Sequence, residues 1–392
     1  MTRYRHRAGE LLVHADDCAV LRAELAGFGY HLAGEAGELR RFTGTRPVPE
    51  VLAALRGRGV SANHLFGPDR IIWGVPGLQP KPTSSELAPL PSSDERPTVG
   101  LIDTGILLDQ GRPHPYLGNR VVFDQKDTVR LERGEDGNPI GTAAHGTFVA
   151  GVLLKQVPPT VRVRMKGVLD KADGAVEDLA VATAIDELRE EGITLINLSF
   201  SGATWEDEPP KAIEAALRRL PADAVVVASA GNRSSRRLVY PAAIKFEATV
   251  PGVLDESHVR MIAVGAADAT QDPARPRVAD FSNYGPWVSV YADGVDVLGP
   301  YFRPGYPAQP AGAVPQYNGY AVWSGTSFSA AIVTGKIAAR MVEAGSARKA
   351  AAWVVPPPQA GLEESSTVHV QDVNGEMCVP YVQSRLFEPG VG

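Results

Sequence analysis

Four uninterrupted apolar runs, with helix-forming segments among them, govern what the region after Pro97 can fold into. TVGLID (98–103), ITLINLSF (193–200), AVVVASAG (224–231) and VRMIAVGAA (259–267) show almost no alternation of apolar and polar residues. A strand with one wet face alternates, so continuous runs imply strands buried on both faces. AVEDLAVATAIDELREEG (175–192) and KAIEAALRRL (211–220) carry helical periodicity between them. The expectation is an α/β domain with a parallel sheet and helices on both faces. Sites in such sheets form at the carboxyl ends of the strands.

A smaller unit precedes it. GELLVHA (9–15) reads as a strand and DDCAVLRAELAGFG (16–29) as a helix capped by Asp16. YHLAGEAG and ELRRFTG read as two strands, PVPEVLAALRGRG as a second helix, and SANHLFG as a last strand. That order, βαββαβ, is the ferredoxin-like arrangement. His31 and His64 within it are expected on strand surfaces. The chain thus divides into a unit at 1–75, a Pro/Ser-rich linker at 76–96, a large domain at 97–353 and an extension at 354–392. The linker is expected to be extended and exposed. The extension carries STVHVQDVNGEMCVPYV, read as a hairpin turning at Asn374-Gly375.

Bulk properties narrow the function. With 44% hydrophobic and 21% charged residues the chain is of ordinary globular composition, and its net charge of −6 argues against a nucleic-acid or anionic-membrane partner. No signal-peptide pattern or apolar run of membrane-spanning length is visible, so a cytoplasmic location is expected. Cys18 and Cys378, far apart in the chain, are expected as free thiols.

Three short segments carry the chemistry. Asp103 ends the strand TVGLID in an Asp-Thr-Gly turn. His145 opens the helix HGTFVAGVLL, whose Gly146, Ala150 and Gly151 suit close packing. Ser327 lies in YAVWSGTSFSAAIVTG (320–335). Alone, that last segment fits an ordinary strand-to-helix turn capped by Thr326 or Ser327. It equally fits a hydroxyl set beside free helix N–H groups, where an anion is stabilised. An acid, an imidazole and a hydroxyl, each where a rigid element meets a loop, meet the needs of an activated nucleophile.

In this order and context, Asp-Thr-Gly, His-Gly-Thr and Gly-Thr-Ser resemble the subtilisin-like serine proteases, over roughly residues 97–350. The resemblance implies a triad of Asp103, His145 and Ser327, with Asn232 at the end of VVVASAGN in the oxyanion hole. It implies substrate-binding segments at Ser199, Phe200, Ser201 and Gly202 and, facing them, Ala228, Ser229, Ala230 and Gly231. FSNYG (281–285) is also of a familiar type. A protein or peptide is the implied substrate, and residues 1–75 match a propeptide that assists folding and inhibits the site. Self-cleavage is then expected within 68–97. No cofactor is required. Structural calcium is implied by the resemblance only, since no contiguous calcium loop occurs and Asp109, Asp124 and Asp127 read as solvated loop residues.

Departures from the family pattern touch no reacting atom. Phe148 stands where a second histidine is usual, and Ala331 where a proline usually follows the nucleophile. Ser201 replaces a glycine and is expected to narrow the specificity pocket. Competing readings fare worse. A single Asp-Thr-Gly does not make an aspartic-protease dyad without a second chain. Neither the Gly-x-Ser-x-Gly elbow nor His-Glu-x-x-His is present. A ligase or cyclase using the same acyl-enzyme, and a binding or regulatory protein held inactive by its N-terminal unit, remain as alternatives.

Overall fold

The computed structural model describes residues 4–67, 80–91, 94, 97–130, 141–169, 175–246, 256–302, 317–356, 367–372 and 375–383. The N-terminal unit runs β1 (His6–His14), α1 (Ala15–Gly27), β2 (Tyr30–Ala36), β3 (Leu39–Gly44), α2 (Val48–Ala54) and β4 (Val60–Phe66), in antiparallel order β4-β1-β3-β2. Leu11, Val13, Leu21, Leu25, Phe42 and Val51 form its own core. Helix α1 is capped by His14, not Asp16: the His14 ring accepts from the Asp16 N–H at 3.4 Å. Asp16 and Asp17 instead occupy the first turn, where carboxylates favour the positive dipole end.

The larger unit contributes β6 (Pro97–Asp103), β7 (Val121–Val122), α3 (His145–Leu154), β8 (Arg162–Gly167), β9 (Val176–Glu177), α4 (Asp178–Glu190), β10 (Leu195–Leu198), α5 (Lys211–Arg218), β11 (Val225–Ser229), β12 (Arg260–Asp268) and β13 (Val290–Asp293). It continues with β14 (Val297–Pro300), β15 (Tyr320–Trp323), α6 (Thr326–Ala344) and α7 (Ala347–Val354), and the C-terminal β16 (Thr367–Asp372) and β17 (Gly375–Val382) follow. The central sheet runs β16-β17-β13-β12-β11-β10-β6-β8-β7. Its members from β17 to β7 are parallel, and β16 returns antiparallel along β17 as the expected hairpin. Asn374 and the Cys378 side chain lie outside the described residues; Cys18 is a free thiol.

Continuous apolar runs supply both faces at once. Leu195, Val225 and Val227 pack toward α3 and α6, whereas Ile196, Leu198, Val226 and Ala228 pack toward α4 and α5. Adjacent residues in a strand point oppositely, so a run buried on both faces is apolar at nearly every position.

The two units share a sheet edge. Strand β9 of the larger unit pairs antiparallel with β4, setting Val176 beside Phe66 and Glu177 beside Leu65. Leu12, Leu39 and Phe66 enter the same apolar cluster as Val176, Val181 and Phe200. Arg7 pairs with Glu177, and Asn63 donates to Glu177 at 3.3 Å. His64 is therefore not on a surface: it is 2% exposed, and its Nε2 accepts from the Trp205 N–H at 3.2 Å. The docked partner, invisible to local patterning, buries it.

The linker is likewise held. Lys81–Pro82 forms β5, which adds to β15 so that Pro82 faces Ala321 and Lys81 faces Val322. Tyr317 and Tyr320 hydroxyls donate to the carbonyls of Pro80 and Leu87 at 2.8 and 2.9 Å. Residues 80–91 are thus extended but fastened to the strand that leads to Ser327.

Candidate active site

Asp103 ends β6, His145 begins α3, and Ser327 is the second residue of α6. All three are nearly buried, at 2%, 4% and 1% exposure. His145 Nδ1 lies 2.7 Å from Asp103 Oδ1, which also accepts from the Thr104 N–H at 2.7 Å. Donation of Nδ1–H to a carboxylate leaves Nε2 of a neutral imidazole as the acceptor. The turn is compact because of Gly105, whose φ is +110° and whose added Cβ would fall 2.5 Å from the Asp127 carbonyl oxygen. The Gly146 N–H donates to Thr104 Oγ1 at 3.0 Å, tying the start of α3 to the same turn.

The His145 ring is packed among aromatics. Trp323 meets it edge-on at 5.7 Å between centroids, and Phe328 lies at 5.8 Å. Phe148, one turn along α3, contacts both Phe328 (4.7 Å) and Trp323 (5.5 Å). An apolar ring at 148 thereby joins a cluster in which a histidine would need polar partners.

Helix α6 begins differently from the sequence expectation. Its N-cap is Gly325, and neither Thr326 nor Ser327 caps it through a side chain. Thr326 Oγ1 instead donates to Asn232 Oδ1 at 2.9 Å and accepts from the Gly231 N–H at 3.0 Å. The Thr326 N–H also donates to Asn232 Oδ1 at 2.9 Å. With its oxygen so engaged, the Asn232 amide presents Nδ2 as its available donor. The N–H groups of Phe328 and Ser329 bond to Gly325 O, so the Ser327 N–H is the donor left over in this first turn. Asn283, from FSNYG, holds the loop from below: Nδ2 donates to Ala230 O at 2.7 Å, and Oδ1 accepts from Arg233 and Ser235.

Ser327 Oγ donates to the Ser199 carbonyl at 3.1 Å, while Ser199 Oγ donates to the Ser327 carbonyl at 3.0 Å. Asn197 Nδ2 donates to Ser199 Oγ at 2.8 Å, and Thr334 Oγ1 donates to Asn197 Oδ1 at 2.9 Å. Asn197, which opens NLSFSG, and Thr334, within the segment that carries Ser327, are given no role of their own by those motifs. Polar residues at apolar-face positions of β10 and α6 are the signal that would have found them.

Ser199 to Gly202 follow β10, and Ala228 to Gly231 close β11 and run into Asn232. Phe200 is 1% exposed and packs on Phe66 at 6.1 Å. The Ser201 N–H donates to Gly67 O at 3.3 Å, so the end of the N-terminal unit lies against this strand. Residues 68–79, within the window expected to be cut, are outside the described residues.

Residues 94–354 match the Subtilase family (Peptidase S8). The chain belongs to that family. It is 30% identical over 249 residues to Thermophilic serine proteinase of Bacillus sp. (strain AK1), covering 60% of this chain and 50% of that protein. It is 28% identical over 283 residues to Subtilisin-like protease 2 of Pseudogymnoascus destructans, covering 70% and 61%. The chain spans about half the length of the curated relatives it matches. In fold it is similar to fervidolysin from Fervidobacterium pennivorans, a keratinolytic enzyme related to subtilisin, with a TM-score of 0.56 and 19% identity over 88% of this chain and 56% of that one.

Among the described residues no group of three or more His, Cys, Asp or Glu could hold a metal ion. Asp127 is a correction to the solvated-loop expectation: 2% exposed, its carboxylate accepts from the N–H groups of Asp124 and Gly167, both at 3.0 Å. Asp124 pairs with Arg164. No described helix is long and apolar enough to cross a membrane.

Proposed function

We propose that this subtilase is a serine endopeptidase that forms an acyl-enzyme on Ser327 and is controlled by its own N-terminal unit. The observation carrying the reading is the buried Asp103–His145 hydrogen bond at 2.7 Å, set beside a helix start with an oriented amide. Ser327 Oγ attacks the scissile carbonyl as His145 Nε2 takes its proton, and the same proton passes to the leaving amine. Asp103 fixes the tautomer and stabilises the imidazolium. The developing oxyanion is met by Asn232 Nδ2, the Ser327 N–H and the positive end of α6. In the structure Ser327 Oγ rests on Ser199 O; the bond to His145 forms as substrate takes up the strand edge, in line with catalytic contacts that tighten only in the complex.

Control by residues 1–75 is supported by the way that unit ends. Gly67 pairs with Ser201, two residues along from the carbonyl that Ser327 touches. An extended segment added to this edge presents its backbone as a substrate would. The unit therefore acts as a propeptide, and the chain cuts itself within 68–97. Together with a serine at 201 where the family has a glycine, this suits a dedicated processing enzyme rather than a general scavenger.

The test is intact mass of the purified chain beside Ser327→Ala. A wild type shortened within 68–97 and an unshortened variant are expected. Equal shortening of both would remove Ser327 from the reaction. Rapid digestion of many unrelated unfolded proteins would contradict the dedicated role.

A further inference from the structure

The C-terminal hairpin has no part in the chemistry above, yet it reaches the turn that carries Ser327. Strand β17 pairs parallel with β13, setting Tyr381 beside Tyr291 and Val382 beside Ala292. Without β17, the four-residue β13 would be an edge strand with one neighbour, β12. The residues that end β13 and follow it hold the start of α6. Ser329 Oγ donates to Ala292 O and Asp293 O at 3.0 and 3.1 Å, and the Gly325 N–H donates to Gly294 O at 2.8 Å. Ser324 Oγ accepts from the Asp296 N–H at 2.9 Å.

The fit there is tight. A Cβ at Gly294 would lie 2.5 Å from both Ser329 Oγ and Ala266 Cβ. Packed contacts of this kind transmit small displacements rather than absorbing them. The Asp293 carboxylate, at the same point, accepts from the Tyr381 hydroxyl. Burial first, and the hydrogen bond to Asp293 second, push the Tyr381 hydroxyl well above its usual range, so it stays protonated as a donor. Val379 anchors the strand in the core, 7% exposed.

We propose that the C-terminal hairpin buttresses the nucleophile's turn, with Tyr381 a positioning residue that acts through Asp293 on residues 324–329. This rests on the reading of Ser327 as nucleophile. Misplacement of a reacting group by a fraction of an ångström costs rate with little effect on binding, since the contact surface itself is unchanged.

The experiment follows sulfonylation of Ser327 by phenylmethanesulfonyl fluoride in the full chain, by intact mass over time, alongside the thermal midpoint. Tyr381→Phe removes one hydroxyl and should slow the limiting rate about three- to tenfold, the range set by one hydrogen bond, with the inhibitor's half-saturating concentration unchanged. Asp293→Ala should do the same, Asp293→Asn should lose less, and the double variant Tyr381→Phe/Asp293→Ala should be no slower than either single. A full rate in Tyr381→Phe, with only a lower melting temperature, overturns the proposal. So do single effects that simply multiply. Ser327→Ala, run in parallel, should take up no label; equal labelling there would overturn the nucleophile assignment itself.

Discussion

Asn232 Oδ1 accepts both the N–H and the hydroxyl of Thr326, each at 2.9 Å, 94 residues along the chain. The residue before Ser327 thus orients the Asn232 amide. Replacing Asn232 with Ala should lower kcat by about 10²–10³ with little change in KM, because the lost donor acts on the oxyanion and not on the ground state. Thr326→Val, which keeps shape but loses the hydroxyl, should cost about tenfold by loosening the same amide. Steady-state kinetics of the processed enzyme measure both, and a rise in KM alone would contradict the assignment.

Asp103 holds one tautomer of His145 through a buried 2.7 Å contact. Asp103→Asn should leave the fold intact while lowering kcat by about 10⁴, since the carboxamide favours the wrong tautomer. Circular dichroism checks the fold and burst kinetics check the rate.

Gly105 is confined by a φ of +110° and by the Asp127 carbonyl, 2.5 Å from where a Cβ would lie. Gly105→Ala should destabilise the chain by about 1–3 kcal/mol through backbone strain and displace Asp103 with it. Urea denaturation of Gly105→Ala in the Ser327→Ala background measures this without interference from self-cleavage. An unchanged midpoint would show that the turn relaxes freely.

Phe66 is 1% exposed and sits between Phe200 and Gly202, whose added Cβ would come within 2.9 Å of the ring. Phe66→Ala should weaken docking of the N-terminal unit by about 3–5 kcal/mol, the cost of an aromatic cavity. In Ser327→Ala, hydrogen exchange across residues 60–66 and 175–182 should speed up in the variant. Unaltered protection would place the docking energy elsewhere.

Lys155 closes α3 and donates to Leu298 O at 3.1 Å, and burial lowers its pKa to about 8. An unfolded lysine titrates near 10.4, so between about pH 8 and 10.4 the unfolded chain holds the extra proton. Stability from this group therefore rises with pH across that window and is least below it. Lys155→Met should stabilise the chain at pH 7 by on the order of 1–2 kcal/mol, and the advantage should shrink as pH approaches 10. Paired urea titrations at pH 7 and 9.5 measure the difference.

Much of this protein was legible without coordinates wherever information is local. Continuous apolar runs announced β6, β10, β11 and β12, because burial on both faces favours apolar side chains at nearly every position. Asp103, His145 and Ser327 stood out because each lies where a rigid element meets a loop, and Asn232 followed from the family resemblance alone. The βαββαβ order of the N-terminal unit could be read from period changes and turn residues.

What tertiary structure alone decided are the contacts between segments remote in sequence. Only the fold places His64 in an interface, turns Thr326 from a helix cap into a partner of Asn232, fastens residues 80–91 to β15, and brings Tyr381 to Asp293. The physical reason is one of range: periodicity and turn chemistry report which way a side chain faces, whereas its partner is chosen by packing and hydrogen bonding across a surface that exists only once the chain has closed on itself.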